Sequence, residues 1–399
     1  MRKGLIMPKR KTTGKNFVDL QQEIDLNIFI QNIKSNFKDF PDPRIKSRCA
    51  YPMWYLFLVI LSGYLSGCNT VSDIAHFAEI RSSWFTALIG EKFSAPSYDT
   101  LWWFFVRVNP KIFKDLIGRW LQNLPKDLKD QLLAIDGKRL RGVSDKEHIS
   151  HIVELFAIES RLVIAQEKVP DKLGEAKALP ALLDSIDITG AVISVDALYA
   201  NIHDTRLILN KEADFIVGIK GNQPNLEAEL HNFFEQAKAV NYEGVDGITL
   251  FETHEKGHGR IERRSICVVN ELDWLPQKDE WQLKALIEIR SERIIGDKIG
   301  LETRYYASSR KADAKKFAYW IRGHWGIENT LHYVMDVIFK EDASLSDIGF
   351  SAENMSLIRR LAANIIRTFD PDSGIADARR NATYDPNYLR GLLGRMFVK

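Results

Sequence analysis

From about residue 25 to residue 122 apolar side chains recur at helical spacing, most clearly over Trp54–Leu65, Val71–Phe77 and Thr100–Val108. Breaks such as Ala95-Pro96-Ser97 separate these runs, and Ser97 and Asp99 are residue types that cap a helix start. The spacing predicts an all-helical unit over 25–122. Two short helices in this order suit a helix-turn-helix, but Trp102, Trp103, Phe104, Phe105 and Val106 make the second too apolar to read a groove, so packing is its expected role. Near residue 128 the period becomes that of strands. Leu132–Ile135 is a short apolar run ending at Asp136-Gly137, and Ile152–Ile158 and Leu162–Val169 flank Glu159-Ser160-Arg161, a hairpin connection. A helical stretch over Ala176–Ile186, a strand over Ala191–Val195 ending at Asp196, a helix around His203–Leu209 and a strand over Phe215–Ile219 complete this block.

The order β-β-β-α-β-α-β predicts an α/β fold: a mixed sheet with helices on its faces, the plan of a ribonuclease-H-like domain. Residues from about 222 to 310 read as a β-rich insertion in that domain, with strands over Arg264–Val269, Leu283–Ile289 and Arg304–Ala307, the last two flanking the turn signal Gly296-Asp297. A long helix is expected from Ala312 to about Val337, then an amphipathic helix over Asn354–Phe369 carrying Arg359, Arg360 and Arg367. The expected organisation is a basic tail over 1–24, the helical unit over 25–122, the mixed-sheet domain over 128–370 and a loose tail over 371–399.

Composition narrows the classes. With 399 residues, 45% of them hydrophobic and 27% charged, the chain is neither disordered nor a small disulfide scaffold. Fifty-five Lys and Arg against 53 Asp and Glu leave a net charge of +2, so polyanion binding has to come from local patches. Cys49, Cys68 and Cys267 are scattered and odd in number, which fits a reducing, cytoplasmic setting and no cysteine-based zinc site. The apolar run Met53–Leu65 is too short for a span of about 20 residues, so no membrane association is expected.

Asp136 and Asp196 each end a predicted strand, where a side chain faces the carboxyl rim of a sheet. Singly, an Asp-Gly turn and a helix cap explain them; together they suit a shared ion. The helix offers a third partner, because His324, Glu328, His332 and Asp336 follow at steps of four as a polar stripe. A solvated helix face is the plain reading of that stripe. His324 and His332 are two turns apart, about 12 Å at 1.5 Å per residue, too far for one tetrahedral zinc. Carboxylates from two strands and a helix form an all-oxygen set suited to Mg2+ or Mn2+, and sites that hold two such ions roughly 4 Å apart carry out phosphoryl transfer. His254-Glu255-Lys256-Gly257-His258 matches the zinc-protease string, but Gly257 and Gly259 and the flanking strand-like runs argue for a turn rather than the helix that motif needs. Neither a phosphate-cradling loop nor a dinucleotide fingerprint occurs, so no nucleotide cofactor is expected. Lys138, Arg139 and Arg141, then Lys220 with Asn222 and Gln223, then Lys256, Arg260, Arg263 and Arg264 are candidates for gripping a DNA backbone.

These residues carry a family resemblance. AIDGKRLRG from Ala134, SVDALYAN from Ser194, FIVGIKGNQP from Phe215, EKGHGRIERR from Glu255 and HWGIENTLHYVMDVIFKED from His324 stand in the order seen in DDE transposases of ISAs-type insertion sequences, which include the H-repeat-associated proteins found beside Rhs elements. Asp42-Pro43-Arg44, SGCNTVSDIAHFAE from Ser66 and APSYDTL from Ala95 resemble the helical domain associated with those enzymes. The resemblance implies Asp136, Asp196 and Glu328 as catalytic and metal-binding acids, two Mg2+ or Mn2+ ions, and double-stranded DNA as partner, both as terminal inverted repeats and as target. It further implies cleavage at element ends and strand transfer by a homodimer on paired ends, nucleoid-associated when acting. Related transposases carry Tyr and Arg before the Glu and Lys after it, where this chain has Ile321, His324 and Met335. Arg322, His324 and Asn329 are the candidates to replace those DNA contacts. The alternative from another class is a catalytically inactive, transposase-derived DNA-binding protein or regulator.

Overall fold

A computed structural model describes residues 26–44, 49–122, 128–140, 151–257, 259–346 and 348–395. The expected basic tail, Arg141 and His258 lie outside them. At the centre is β1 (Leu132–Arg139), paired antiparallel with β2 (His151–Ala157) and parallel with β4 (Val192–Val195). β3 (Leu162–Val169) pairs antiparallel with β2, and β5 (Asp214–Ile219) parallel with β4. Parallel neighbours need crossovers. One contains a 3-10 turn over Lys172–Ala178 and α7 (Leu179–Leu183), in place of the single helix expected over Ala176–Ile186; the other contains α8 (Ile202–Leu209).

The β-rich block after α9 (Pro224–Ala239) extends this same sheet. β6 (Ile248–Gly257), β7 (Arg260–Val269), β8 (Ala285–Ile295) and β9 (Lys298–Ser308) form an antiparallel meander. The last residues of β9 pair with β5, giving the order β3-β2-β1-β4-β5-β9-β8-β7-β6. The strands run well past the expected apolar stretches, because backbone pairing continues into polar hairpin arms that leave the core; Ile295–Thr303 is exposed. His254 lies on β6 and is exposed, so the zinc-protease string is not helical.

The helical segment holds α1 (Leu26–Asn36), α2 (Met53–Leu65), α3 (Val71–Ile80), α4 (Ser82–Ile89), α5 (Tyr98–Arg107) and α6 (Pro110–Gln122). Leu101, Phe104, Phe105 and Val106 of α5 are buried, the packing role its aromatic run demands. These helices share one apolar core with α12 (Ser351–Phe369), which is buried along most of its length. Asn354 of α12 donates to Phe105 O and Val108 O, both at 2.8 Å, while Asn364 accepts from Val163 N at 2.9 Å and donates to Val163 O at 2.8 Å. Two buried amides therefore fasten the N-terminal helices and the edge of the sheet to one rod, Asn364 through both its nitrogen and its oxygen and Asn354 through its nitrogen, shared by two carbonyls.

The stretch after Asp370 is not the expected loose tail. It forms α13 (Ile375–Tyr384) and α14 (Pro386–Arg395), whose Ile375, Ala378, Ala382, Leu389 and Leu392 join the same core. Arg379, buried, donates to Tyr64 O at 2.8 Å, Cys68 O at 2.9 Å and Ile338 O at 2.7 Å. Its fixed fork of donors satisfies carbonyls from two helical segments at once. Among the described residues no helix is long and apolar enough to cross a membrane.

Candidate active site

Side chains alternate across a strand, so β1 and β4 each have two faces. Leu133, Ile135, Ile193 and Val195 pack into the core on one face, while Leu132 and Val192 pack on the other, beneath α11 (Ala314–His324). Asp136 continues the Leu132–Ala134 face and Asp196 the Val192–Ser194 face. Ile135 is the register partner of Val195, so the next residues of two adjacent parallel strands are the two acids. Asp136 does not end β1, as the sequence suggested; it ends only the parallel pairing, and β1 goes on to Arg139 against β2. Gly137 leaves room there for the Glu175 carboxylate, which a Cβ would displace.

The helix above the acids differs from expectation. α11 stops at His324, and from Glu328 the backbone makes π-type bonds, Tyr333 N to Glu328 O and Phe339 N to Val334 O. Short π segments inside helices are frequent at functional sites. Gly323 lets α11 approach β1 closely, since a Cβ there would lie 2.6 Å from Leu132 Cδ2. His324, Glu328, His332 and Asp336 all line one cleft of about 660 Å³ with Asp136 and Asp196.

Each acid is held differently. Asp136 Oδ1 accepts from Gly137 N at 2.8 Å, and its Oδ2 lies 3.8 Å from His332 Nδ1. Burial pushes the Asp136 carboxyl up to about 6, with the negative charges of Glu328 and Glu154 adding to the rise, against the pull of His332 and the Gly137 N–H. Asp196 Oδ1 caps the short turn Ala197–Tyr199 by accepting from Ala197 N at 2.8 Å. That turn is tied down by Asn222, which donates to Ala197 O at 2.5 Å, and by Gln223, which donates to Ala200 O at 2.7 Å. Glu328 is exposed at the rim.

Behind Asp136 lies a buried ion network that sequence reading missed. Glu154, directly opposite Asp136 on β2, is fully buried; it faces His332 Nε2 at 3.1 Å and accepts from Arg360 Nε of α12 at 2.5 Å. Burial alone would raise Glu154, but Arg360 and His332 outweigh it and hold the carboxyl down at about 2. Arg360 also grips Glu341, Nη2 to Oε2 at 2.9 Å, and Glu341 accepts from Lys138 at 3.0 Å. Glu341 too is held below the usual range, burial being outweighed by Arg360 and Lys138. The available signal was a Glu and an Arg at inward positions of a strand and a helix.

The expected DNA contacts divide. Lys138 is a correction: only 8% exposed, it is paired with Asp336 and Glu341 inside the network and is not free to meet a phosphate. Asn222 serves the Asp196 turn. His324 is turned inward, its basicity lowered by burial despite the nearby charge of Asp196, and its Nδ1 has no hydrogen-bond partner among the described residues. Arg139 is exposed and lines the cleft, and Lys220 is exposed just past the end of β5. Arg322 is exposed and paired with Glu255 at 2.7 Å, Arg260 contacts Glu262 at 3.0 Å, and Asn329 is exposed beside Glu328. Arg260, Arg322, Asn329 and Glu328 share a second groove, running from the cleft along the hairpin arms.

The donor chemistry of Asp136, Asp196 and Glu328 fits hard, oxygen-seeking divalent cations: all are carboxylates, and none has a Lys or Arg ion-pair partner within 4 Å among the described residues. Among the described residues, no three His, Cys, Asp or Glu side chains already stand at ion-holding distances.

Comparisons with known proteins give the family. Residues 127–365 match the transposase DDE domain and residues 34–121 the helical region described as DDE_Tnp_1-associated. "H repeat-associated putative transposase YhhI" of Escherichia coli K12 is 30% identical, covering 91% of this chain and 98% of its own. "Putative transposase YncI" of Escherichia coli O157:H7 is 29% identical over 91% of this chain and 95% of its own. A cryo-EM structure of a piggyBac transposase synaptic complex with hairpin DNA is 13% identical at a TM-score of 0.43, covering 93% of this chain and 79% of that one. With more than half its length matched by the domain model and near-full-length relatives at this identity, the chain belongs to the DDE transposase family.

Proposed function

We propose that the chain is a DNA transposase that cuts at insertion-sequence ends and joins the freed end to target DNA, with Asp136, Asp196 and Glu328 as its catalytic acids in a ribonuclease-H-like sheet. The observation that carries this reading is the Ile135–Val195 register, which sets two carboxylates side by side on one sheet face under the helix that bears the third. Two divalent ions held by these acids supply activation of the attacking oxygen and stabilisation of the departing one. Water first attacks the phosphodiester at the element end, and the freed 3′-hydroxyl then attacks target DNA in line. The chain's own part is positioning: Asn222 and Gln223 fix the Asp196 turn, and Gly137 N and His332 flank Asp136. Arg139, Arg322 and Asn329, exposed around the opening, and Lys220, exposed just past β5, are candidates to meet phosphates.

A labelled duplex carrying the flanking element end tests this with Mg2+, Mn2+ or EDTA, comparing the intact chain with Glu328→Ala. Metal-dependent 3′-hydroxyl ends from the intact chain alone are expected. Binding without cutting under every metal would instead establish the inactive DNA-binding protein.

A further inference from the structure

The imidazole of His332 stands between two carboxylates, with Nδ1 3.8 Å from Asp136 Oδ2 and Nε2 3.1 Å from Glu154 Oε2. Nothing about this pairing is forced by the helix alone. A π-turn carries His332 inward while Glu328, four residues earlier, stays at the rim. The Glu154 end is immobile, since that carboxylate is fully buried, sits across β1–β2 from Asp136 and is clamped by Arg360. Arg360 is in turn anchored by Glu341, and Glu341 by Lys138, which projects from β1 two residues beyond Asp136 on the same face. The chain of contacts starts and ends on the same strand. Among the described residues, His332 is thus the side chain through which the network reaches Oδ2 of Asp136, whose other oxygen already accepts from Gly137 N.

We infer that His332 is a positioning residue: braced by the Glu154–Arg360 pair, it fixes the orientation of the Asp136 carboxylate and so sets the affinity of the site for its divalent ion. The inference rests on the proposed metal-binding role of Asp136. Partners that orient a ligating side chain typically change metal affinity by about 10–100-fold when removed. The two ring nitrogens make the role separable from fold maintenance. The amide nitrogen of Asn falls near the position of Nδ1, toward Asp136, while that of Gln falls near Nε2, toward Glu154.

The experiment is Mn2+ binding to the full chain, read by loss of the free-ion signal in electron paramagnetic resonance, together with thermal unfolding. The panel is the intact protein, Asp136→Ala, His332→Asn and His332→Gln. His332→Gln should keep the unfolding temperature through its Glu154 bond yet bind Mn2+ about 10–100-fold more weakly, whereas His332→Asn should bind Mn2+ within a few-fold of the intact chain even if it melts earlier. The opposite pattern, Gln binding normally and Asn weakened only as far as it is unfolded, would overturn the inference and leave His332 as a structural residue. Intact protein and Asp136→Ala binding Mn2+ equally would overturn the metal role of Asp136 itself, and the positioning role with it.

Discussion

The two strand acids and the helix acid reach the same cleft by different physics. Asp136 and Asp196 are set by backbone register, each with one oxygen bonded to the following N–H and neither able to shift without disturbing β1 or β4. Glu328 opens a π-segment, is exposed, and depends on how closely α11 lies on the sheet at Gly323. The strand pair is a rigid floor and the helix acid an adjustable roof, so loss of any of the three acids should abolish chemistry, while a roof that is shifted but keeps Glu328 should give a graded loss.

That contrast is open to attack. Asp136→Ala should remove transition-state stabilisation of several kcal/mol, a cleavage loss on the order of 10³-fold or more, with DNA binding retained in a gel-shift assay. Normal cutting by this variant would end the assignment. Breaking the brace beneath the floor comes next: Arg360→Met strands Glu154 and Glu341 without their shared cation and should lose about 3–5 kcal/mol in urea unfolding. The same network gives a pH signature. Because the Glu154 carboxyl is lowered from 4.5 to about 2, its contribution is present above pH 4.5 and is lost as pH falls toward 2. Acid unfolding in that window should be shallower for Glu154→Gln than for the intact chain, and equal slopes would show that the pair is not coupled to folding.

The roof offers a smaller effect. Gly323→Ala adds a methyl against Leu132 and should destabilise by about 1–3 kcal/mol, with cleavage reduced but measurable because Glu328 is displaced while Asp136 and Asp196 stay in place. Smallest of all, Arg139→Gln or Lys220→Gln should leave cutting at low salt nearly unchanged and lower the salt dependence of DNA binding by about one unit of slope each. Lys138→Gln, by contrast, should behave as a stability variant, because its ammonium is inside the ion network.

Much of this was legible along the chain. The first five strands, the helical N-terminal segment and the three acids stand out because each leaves a local signal: alternation, helical spacing, or a carboxylate where an apolar run stops. The hairpin arms of β6–β9 are mostly polar in their outer halves, their few apolar residues there, such as Ile295, Ile299 and Leu301, are exposed, and the backbone bonds that extend them are invisible to side-chain pattern. Past Asp370, Pro386, Asn387 and Gly391 dilute the apolar residues of α13 and α14, which are recognisable as a core only once α12 lies beneath them. Lys138 looked like a DNA contact because sequence does not disclose that Asp336 and Glu341, far along the chain, enclose it.

By itself, then, the sequence determined the mixed α/β order and marked Asp136, Asp196 and Glu328 as candidates, since strand period, helix period and a carboxylate at the end of an apolar run or on a helix stripe are short-range properties of consecutive residues. Only the tertiary structure decided that Glu154, His332 and Arg360 stand behind Asp136, that Lys138 is internal, and that the C-terminal helices close the N-terminal core. Those outcomes depend on pairings between distant segments, where burial makes an unpaired charge costly and so selects the partner that neutralises it.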